Sequence, residues 1–198
     1  MKKRLPRVCL ILGLVLLASC ANTKVVEQWT DPGFDAKLKN ILVLSLNDSD
    51  KSRRLFEDGF LNELKQRNIQ SSVSYKLIPS NGDINKEKVK VAIAGSDIDG
   101  VLVLRPVKIT KEQRDVRSDA GYTRYDDFYA YVGSYKPNYD AYTIEDTIVH
   151  LEVNLYAVDG ENLIWSGKTE TFNPTDVESL LIEIAKTILD QIGRTGFL

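Results

Sequence analysis

Apolar runs alternate with amphipathic stretches through the first half of this chain, and that order limits the folds open to it. Residues 40–46 (NILVLSL) form an uninterrupted apolar run, typical of a strand buried on both faces. Phe56, Phe60 and Leu64 then recur at helical spacing and predict an amphipathic helix. The patterns that follow predict a strand, a shorter helix and a third strand, at residues 72–78, 85–97 and 100–109. This order favours parallel strands joined by right-handed crossovers.

The second half of the chain predicts antiparallel structure and a final helix. Residues 147–172 contain two strand patterns around Asp159-Gly160, a strong hairpin signal. Thr175 and Glu178 have the spacing of a capping box at the start of the last helix. The predicted fold is α/β, with a mixed sheet of three parallel strands plus an antiparallel C-terminal hairpin, and about three packed helices.

The first residues are predicted to direct the chain out of the cytoplasm. Residues 1–7 carry four basic side chains and no acidic one, and residues 8–17 are almost wholly apolar. As a helix the apolar run is about 15 Å long, too short for a hydrocarbon core of about 30 Å. A basic start followed by a short apolar run is typical of a secretory signal.

The apolar run ends in a motif that predicts a lipid anchor. Leu17-Ala18-Ser19-Cys20 resembles the lipobox of bacterial lipoproteins. The resemblance implies thioether lipidation of Cys20, cleavage before it and acylation of the new terminus with a chain such as palmitate. Several acyl chains give stable membrane anchoring where one gives only marginal binding. Ala21 in the next position implies passage to the outer membrane, with the protein facing the periplasm.

These signals predict the organisation of the whole chain. It comprises a lipoprotein signal peptide (1–19), a short tether (20–24) and a single α/β domain (25–198) with a tyrosine-rich insertion at about 110–146. About 180 residues in the mature chain suffice for one domain with a sizeable core.

Charge and cysteine content restrict the partners and cofactors. The net charge is −2, and it falls to about −6 when the four basic residues of the signal are removed. An acidic chain without a basic block argues against nucleic acid as a partner. Cys9 would be removed and Cys20 would carry lipid, so we expect no cysteine metal site, no disulfide and no cofactor besides the covalent lipid.

The tyrosine-rich insertion is the best candidate for a binding surface. Seven of the nine tyrosines lie between residues 110 and 146. Tyrosine combines a large apolar face with a polar tip and suits recognition surfaces, although such rings can equally cover the domain's own sheet. The predicted partner-binding residues are Trp29, Tyr122, Tyr125, Tyr129, Tyr131 and Tyr135.

The sequence contains no positive signal for catalysis or for a metal. His150 is the only histidine, and we expect it on the polar face of a strand as a surface residue. The spacing of Asp126 and Asp127 fits no calcium loop. Glu57 and Glu63 are expected on the wet face of the first helix. The chain is therefore predicted not to be an enzyme.

From Val25 onward the chain resembles a family of uncharacterised Gram-negative lipoproteins of unknown function. The matching pieces include VVEQWTDPGF, RRLFEDGFLNELKQRNI, DIDGVLVLRPV and LEVNLYAVDGENLIWSGKTETFNP, and they leave out mainly residues 122–142. The resemblance implies an envelope location and carries no assigned activity or catalytic residue.

Three hypotheses for function follow. The leading one is a non-enzymatic, lipid-anchored periplasmic domain that binds an envelope protein partner. The second is a subunit of a homo-oligomer that uses the exposed edge of the C-terminal hairpin for strand addition. The third, a hydrolase of envelope glycan or lipid, has no positive support in the sequence.

Overall fold

The computed structural model describes residues 22–78, 84–117, 129, 132 and 141–198. These residues form six strands, four α-helices and one 3₁₀ turn. In chain order they are β1 (Thr23–Thr30), β2 (Asn40–Ser45), α1 (Asp50–Gln66), β3 (Gln70–Val73), α2 (Ser74–Leu77), α3 (Lys86–Ile93), β4 (Gly100–Arg117), β5 (Ala141–Ala157), the 3₁₀ turn (Asp159–Glu161), β6 (Asn162–Phe172) and α4 (Val177–Thr195).

The strands form one mixed sheet in the order β1-β6-β5-β4-β2-β3. β2 pairs in parallel with both β3 and β4, and the remaining pairs are antiparallel. The predicted α/β class with a mixed sheet is therefore confirmed. Both strands of the C-terminal hairpin are internal, because β5 also pairs with β4 and β6 also pairs with β1. The predicted strand addition at a hairpin edge is wrong for this reason.

The second parallel strand is shorter than predicted, and a buried carboxylate explains the difference. The sequence predicted a strand over residues 72–78, but β3 ends at Val73 and α2 follows at once. The Tyr75 N–H, which could bond along a strand, instead donates to Glu57 Oε2 at 3.0 Å. The Glu57 carboxylate on α1 thus accepts a backbone N–H at a position where the alternating sequence pattern predicted strand pairing.

The first strand was missed because a bulge breaks its alternation. The register of β1 against β6 shifts between Val25 and Glu27. The extra residue brings Lys24 and Glu27 onto the same face, since a bulge reverses the side-chain alternation beyond it.

The two faces of the sheet carry different helices. α1 and α4 pack on one face, and their apolar side chains form the main core with the inward residues of β2, β4, β5 and β6. Trp165, on β6, is fully buried in this core. α3 covers only the β2–β4 region of the other face. Among the described residues, no helix packs on the rest of that other face, formed by β1, β5 and β6, which we call the open face.

The last helix begins one residue later than the predicted cap. The N-cap is Asp176, whose Oδ1 accepts from the Ser179 N–H at 2.8 Å. Asp176 Oδ2 also accepts from Ser179 Oγ at 2.8 Å, and these bonds lower the pKa of Asp176. The predicted capping box at Thr175 is wrong, because a charged acceptor one residue on binds the free N–H groups more strongly than a hydroxyl.

Candidate functional site

The two longest strands run beyond the rest of the sheet as a two-stranded ribbon. β4 pairs with β5 from Gly100 opposite Ala157 to Arg117 opposite Ala141. β2 follows β4 only to Leu104, and β6 is paired with β5 only from residue 148 on. We call residues 107–117 and 141–147 the arm. At about 3.3 Å per residue, the arm extends about 23 Å past Thr110.

Proline and a bulge determine where the arm begins. Pro106 has no N–H to offer a neighbouring strand, and the register against β5 shifts between Pro106 and Lys108. Beyond this point the outer edge of β4 has no neighbouring strand among the described residues. Val107 and Ile109, 46% and 69% exposed, lie at the base of the arm.

Cross-strand ion pairs connect the two strands of the arm. Lys111 Nζ lies 2.7 Å from Glu145 Oε1, and Arg114 Nε lies 3.2 Å from Asp146 Oδ2. The Asn173 side-chain amide also donates to Asp146 at 2.8 Å. The bond from Asn173, with Arg114 adding to it, lowers the pKa of Asp146. The arm is thus a polar ribbon whose base is fastened to the end of β6.

The predicted tyrosine insertion is attached to the outer end of this arm. β4 ends at Arg117 and β5 begins at Ala141, so residues 118–140 connect the two outer strand ends. Tyr129 is 81% exposed. The other predicted contact tyrosines lie outside the described residues: Tyr122, Tyr125, Tyr131 and Tyr135.

The N-terminus enters the sheet at the same end as the arm. Thr23 pairs with Thr171, Thr171 with Val149, and Val149 with Ile109, so these residues form one row across four strands. The Phe172 N–H donates to the Asn22 carbonyl at 3.0 Å. Cys20 precedes Asn22 by two residues, a span of at most about 7 Å. Chain connectivity therefore keeps the predicted lipid attachment point at the end of the sheet from which the arm extends.

Trp29, the other predicted contact residue, lies at the opposite end of the sheet. It sits on the edge strand β1, opposite Ser166, and is 47% exposed. Six residues of strand, about 20 Å, separate it from the row of Thr23. The structure does not bring Trp29 and the arm together on one surface.

The open face of the sheet carries a row of alternating charge. Arg105, Glu152, Lys168 and Glu27 are successive partners across β4, β5, β6 and β1. Arg105 is bound to Glu152, and Lys168 Nζ lies 2.7 Å from Glu27 Oε2. The hydrogen bond from Arg105 lowers the pKa of Glu152. Cross-strand pairs of this kind stabilise a solvated sheet face and account for these charges without a ligand.

His150 is partly buried in a neighbouring row of the same face. Its Nε2 lies 3.2 Å from Thr110 Oγ1, and its Nδ1 lies 3.7 Å from Glu170 Oε1. Its side chain is 19% exposed, less than expected for a surface residue. The described parts of the chain contain no group of three His, Cys, Asp or Glu side chains suited to holding a metal ion.

None of the helices among the described residues is both long enough and apolar enough to cross a membrane.

Glu57 is fully buried, so its predicted position on the wet face of α1 is wrong. Its Oε1 accepts from Arg53 Nε at 3.0 Å, from Ser74 Oγ at 2.6 Å and from the Ser45 N–H at 3.1 Å. Arg53 is itself 4% exposed. The i, i+4 spacing of Arg53 and Glu57 could have suggested an ion pair, but not its burial. This cluster joins α1 to β2 and α2 and is closed to substrates.

Two further candidate sites among the described residues are surface grooves. One, of about 600 Å³, lies between α3 and the sheet, with the Lys90–Glu161 ion pair at its rim. The other, of about 640 Å³, lies between α1 and α4. Three carboxylates line it, and two of them already have partners, since Asp58 accepts from the Tyr75 hydroxyl and Glu63 is paired with Arg67. The third, Glu178, lies in the first turn of α4. Neither groove supplies an arrangement of acid and base that favours catalysis.

Comparison with known proteins gives likeness in fold only. No protein-family model matches the chain, and no curated protein matches it significantly. The PelC dodecamer from Paraburkholderia phytofirmans is 14% identical, with a TM-score of 0.45 over 84% of this chain and 94% of that one. Lipoprotein GNA1162 from Neisseria meningitidis is 13% identical, with a TM-score of 0.44 over 79% of this chain and 99% of that one. Because both TM-scores are below 0.5, the function of this chain is argued from its own residues.

Proposed function

We propose that this chain is a lipid-anchored periplasmic module that binds an envelope protein through the segment at the tip of its arm, and that it catalyses no reaction. The observation that carries the proposal is the arm itself. It holds residues 118–140, with six of the nine tyrosines, on the outer ends of β4 and β5. Tyrosine-rich connecting segments on a rigid scaffold are typical of recognition surfaces.

The anchor restricts where the partner can be. With lipid on Cys20, Asn22 lies within about 7 Å of the membrane surface. The base of the arm lies three strand spacings, about 14 Å, across the sheet from β1. The lipobox resemblance and Ala21 favour the periplasmic face of the outer membrane. The partner is then an envelope protein whose binding site lies at the membrane surface.

The length and charge of the arm determine its direction relative to the membrane. The arm extends about 16 Å farther than the tether can reach, because about 23 Å of arm exceeds about 7 Å of tether. An arm held perpendicular to the membrane would push Arg114, which is exposed and about 13 Å past Thr110, beyond the reach of the tether and toward the hydrocarbon. Charged side chains there cost several kcal/mol each. The arm therefore lies along the membrane surface and carries the tyrosine segment sideways to the partner.

Lipidation of Cys20 is tested by metabolic labelling with a palmitate analogue. The wild-type chain is expected to take up the label and to fractionate with outer membranes, because the thiol of Cys20 receives the lipid. Cys20→Ala is expected to lose the label while the folded domain persists. Label that remains on Cys20→Ala would show that the anchor lies elsewhere.

Partner binding is tested by photocrosslinking in intact cells. A benzophenone amino acid in place of Tyr129, which is 81% exposed, is expected to give a discrete crosslinked product with one envelope protein. The control places the same probe at Ile182, 52% exposed on α4 and away from the arm. Equal products from both positions would contradict binding through the tip of the arm.

A further inference from the structure

The outer edge of the arm in β4 is a pairing surface that no strand of the described residues occupies. The parallel partner β2 ends with the Leu46 N–H donating to the Leu104 carbonyl at 2.8 Å. From Arg105 to Arg117 no described strand lies beside β4 on that side. A long free edge is a template for another strand unless its charges prevent pairing.

The order of charges along this edge is complementary to itself. Residues 111–115 read Lys-Glu-Gln-Arg-Asp, so the signs run plus, minus, neutral, plus, minus. If a second copy of the edge is laid antiparallel with Gln113 opposite Gln113, Glu112 falls opposite Arg114 and Lys111 opposite Asp115. The symmetry repeats each pair, so that four opposite-charge pairs form and no like-charge pair does.

Neighbouring registers lose this match. If the two-fold axis is perpendicular to the sheet, each face of one copy continues into the same face of the other copy. In every register of this kind one residue lies opposite itself, so the nearest alternatives to Gln113 are centred on Glu112 and on Arg114. Centring on Glu112 places Glu112 opposite itself, and centring on Arg114 places Arg114 opposite itself. Like charges directly opposite each other are destabilising. The order of charges thus disfavours the registers centred on Glu112 and Arg114 and favours the register centred on Gln113.

We propose that two copies of this chain pair through their arms, antiparallel, with the two-fold axis at Gln113. Three of these charges, on Lys111, Glu112 and Arg114, are on exposed side chains. Among the described residues Glu112 has no ion pair or hydrogen bond of its side chain. Lys111 and Arg114 are 66% and 64% exposed, and exposed pairs within one copy hold such side chains only weakly.

The membrane geometry of the proposed function favours the same arrangement. Two lipid anchors can enter one membrane symmetrically only if the two-fold axis lies along the membrane normal. Because the axis is perpendicular to the sheet at the arm, both arms then lie along the membrane surface, as their length and charge already require. Anchoring also raises the effective concentration of the two copies, which helps a short ribbon interface to form. This membrane geometry rests on the proposed lipid anchor, whereas the pairing of charges at the arm edge does not.

The test is disulfide trapping of the full-length chain in its native envelope. Gln113→Cys places two thiols directly opposite each other, at a Cα separation that permits a disulfide. Lys111→Cys is the matched control on the same exposed strand, because the two introduced thiols would be offset by four residues, about 13 Å along the strand. With copper–phenanthroline as oxidant, Gln113→Cys is expected to give a covalent dimer and Lys111→Cys only background. Equal yields from the two variants, or no dimer from Gln113→Cys, would overturn the proposal.

Charge exchange tests the register independently. In the Gln113→Cys background, Glu112→Lys places Lys opposite Arg114 twice and is expected to weaken pairing about tenfold. Adding Arg114→Glu places opposite charges together again and is expected to restore the dimer. Failure of this restoration would overturn the register. Since dimer yield requires neither the tyrosine segment nor its partner, this result is separate from the photocrosslinking at Tyr129.

Discussion

Glu57→Ala is expected to lower the free energy of unfolding by about 3–5 kcal/mol, because it leaves a buried charge without its partner. Arg53, 4% exposed, would keep only its bonds to the Ser74 hydroxyl and the Ile78 carbonyl. The Ser45 and Tyr75 N–H groups would lose the carboxylate that accepts from them. The loss is a large part of the total stability of a typical domain.

Urea unfolding followed by tryptophan fluorescence measures this effect, with the buried Trp165 as reporter. The matched control is Asp50→Ala, which removes an exposed Arg–carboxylate pair at i, i+4 spacing on α1. That pair, Asp50 with Arg54, is exposed, and its removal should leave the transition nearly unchanged. A shift for Glu57→Ala no larger than that for Asp50→Ala would show that the buried cluster is not needed for stability.

The second large effect is expected at Gly167, whose Cα lies under the ring of Trp165. A Cβ at position 167 would lie 2.3 Å from Trp165 Cη2 and 2.9 Å from Cζ2. The ring is fully buried in the main core. Gly167→Ala is therefore expected to destabilise the fold by about 1–3 kcal/mol, as overpacking of a core does.

Gly193→Ala provides the matched control with the opposite sign. Gly193 lies within α4, and no heavy atom lies within 4 Å of a Cβ built there. The same substitution should stabilise the helix by up to about 1 kcal/mol, because alanine loses less backbone entropy than glycine. Urea midpoints that move in the same direction for both variants would contradict the described packing of Trp165.

The α/β class was predictable because the buried elements carry strong apolar patterns. The run at 40–46 forms β2, and apolar residues at helical spacing form the inward face of α4: Leu181, Ile184, Ile188 and Ile192. The bounds of β3 were not predictable, since the group that ends it is a carboxylate on α1, distant in sequence. β1 escaped detection because its bulge breaks the period of two that marks a strand.

The candidate site could be predicted only in part. Composition alone indicated the tyrosine segment. The arm that holds it was not predicted, because an exposed ribbon with charges on both faces lacks the apolar alternation of a half-buried strand. Ile144 and Ile148 at even spacing were the one signal that β5 starts before residue 147. The separation of Trp29 from the arm depends on sheet register, which the sequence does not specify.

The most direct test of the proposed function replaces residues 118–140 with Asn-Gly. Arg117 and Ala141 are register partners, so a two-residue turn can close the hairpin without changing the sheet. The shortened chain is expected to reach the membrane and to retain the unfolding transition of the wild type, yet to lose the envelope protein that the wild type captures in a quantitative pulldown. Capture of the same protein in the same amount by the folded, shortened chain would contradict recognition through the tip of the arm.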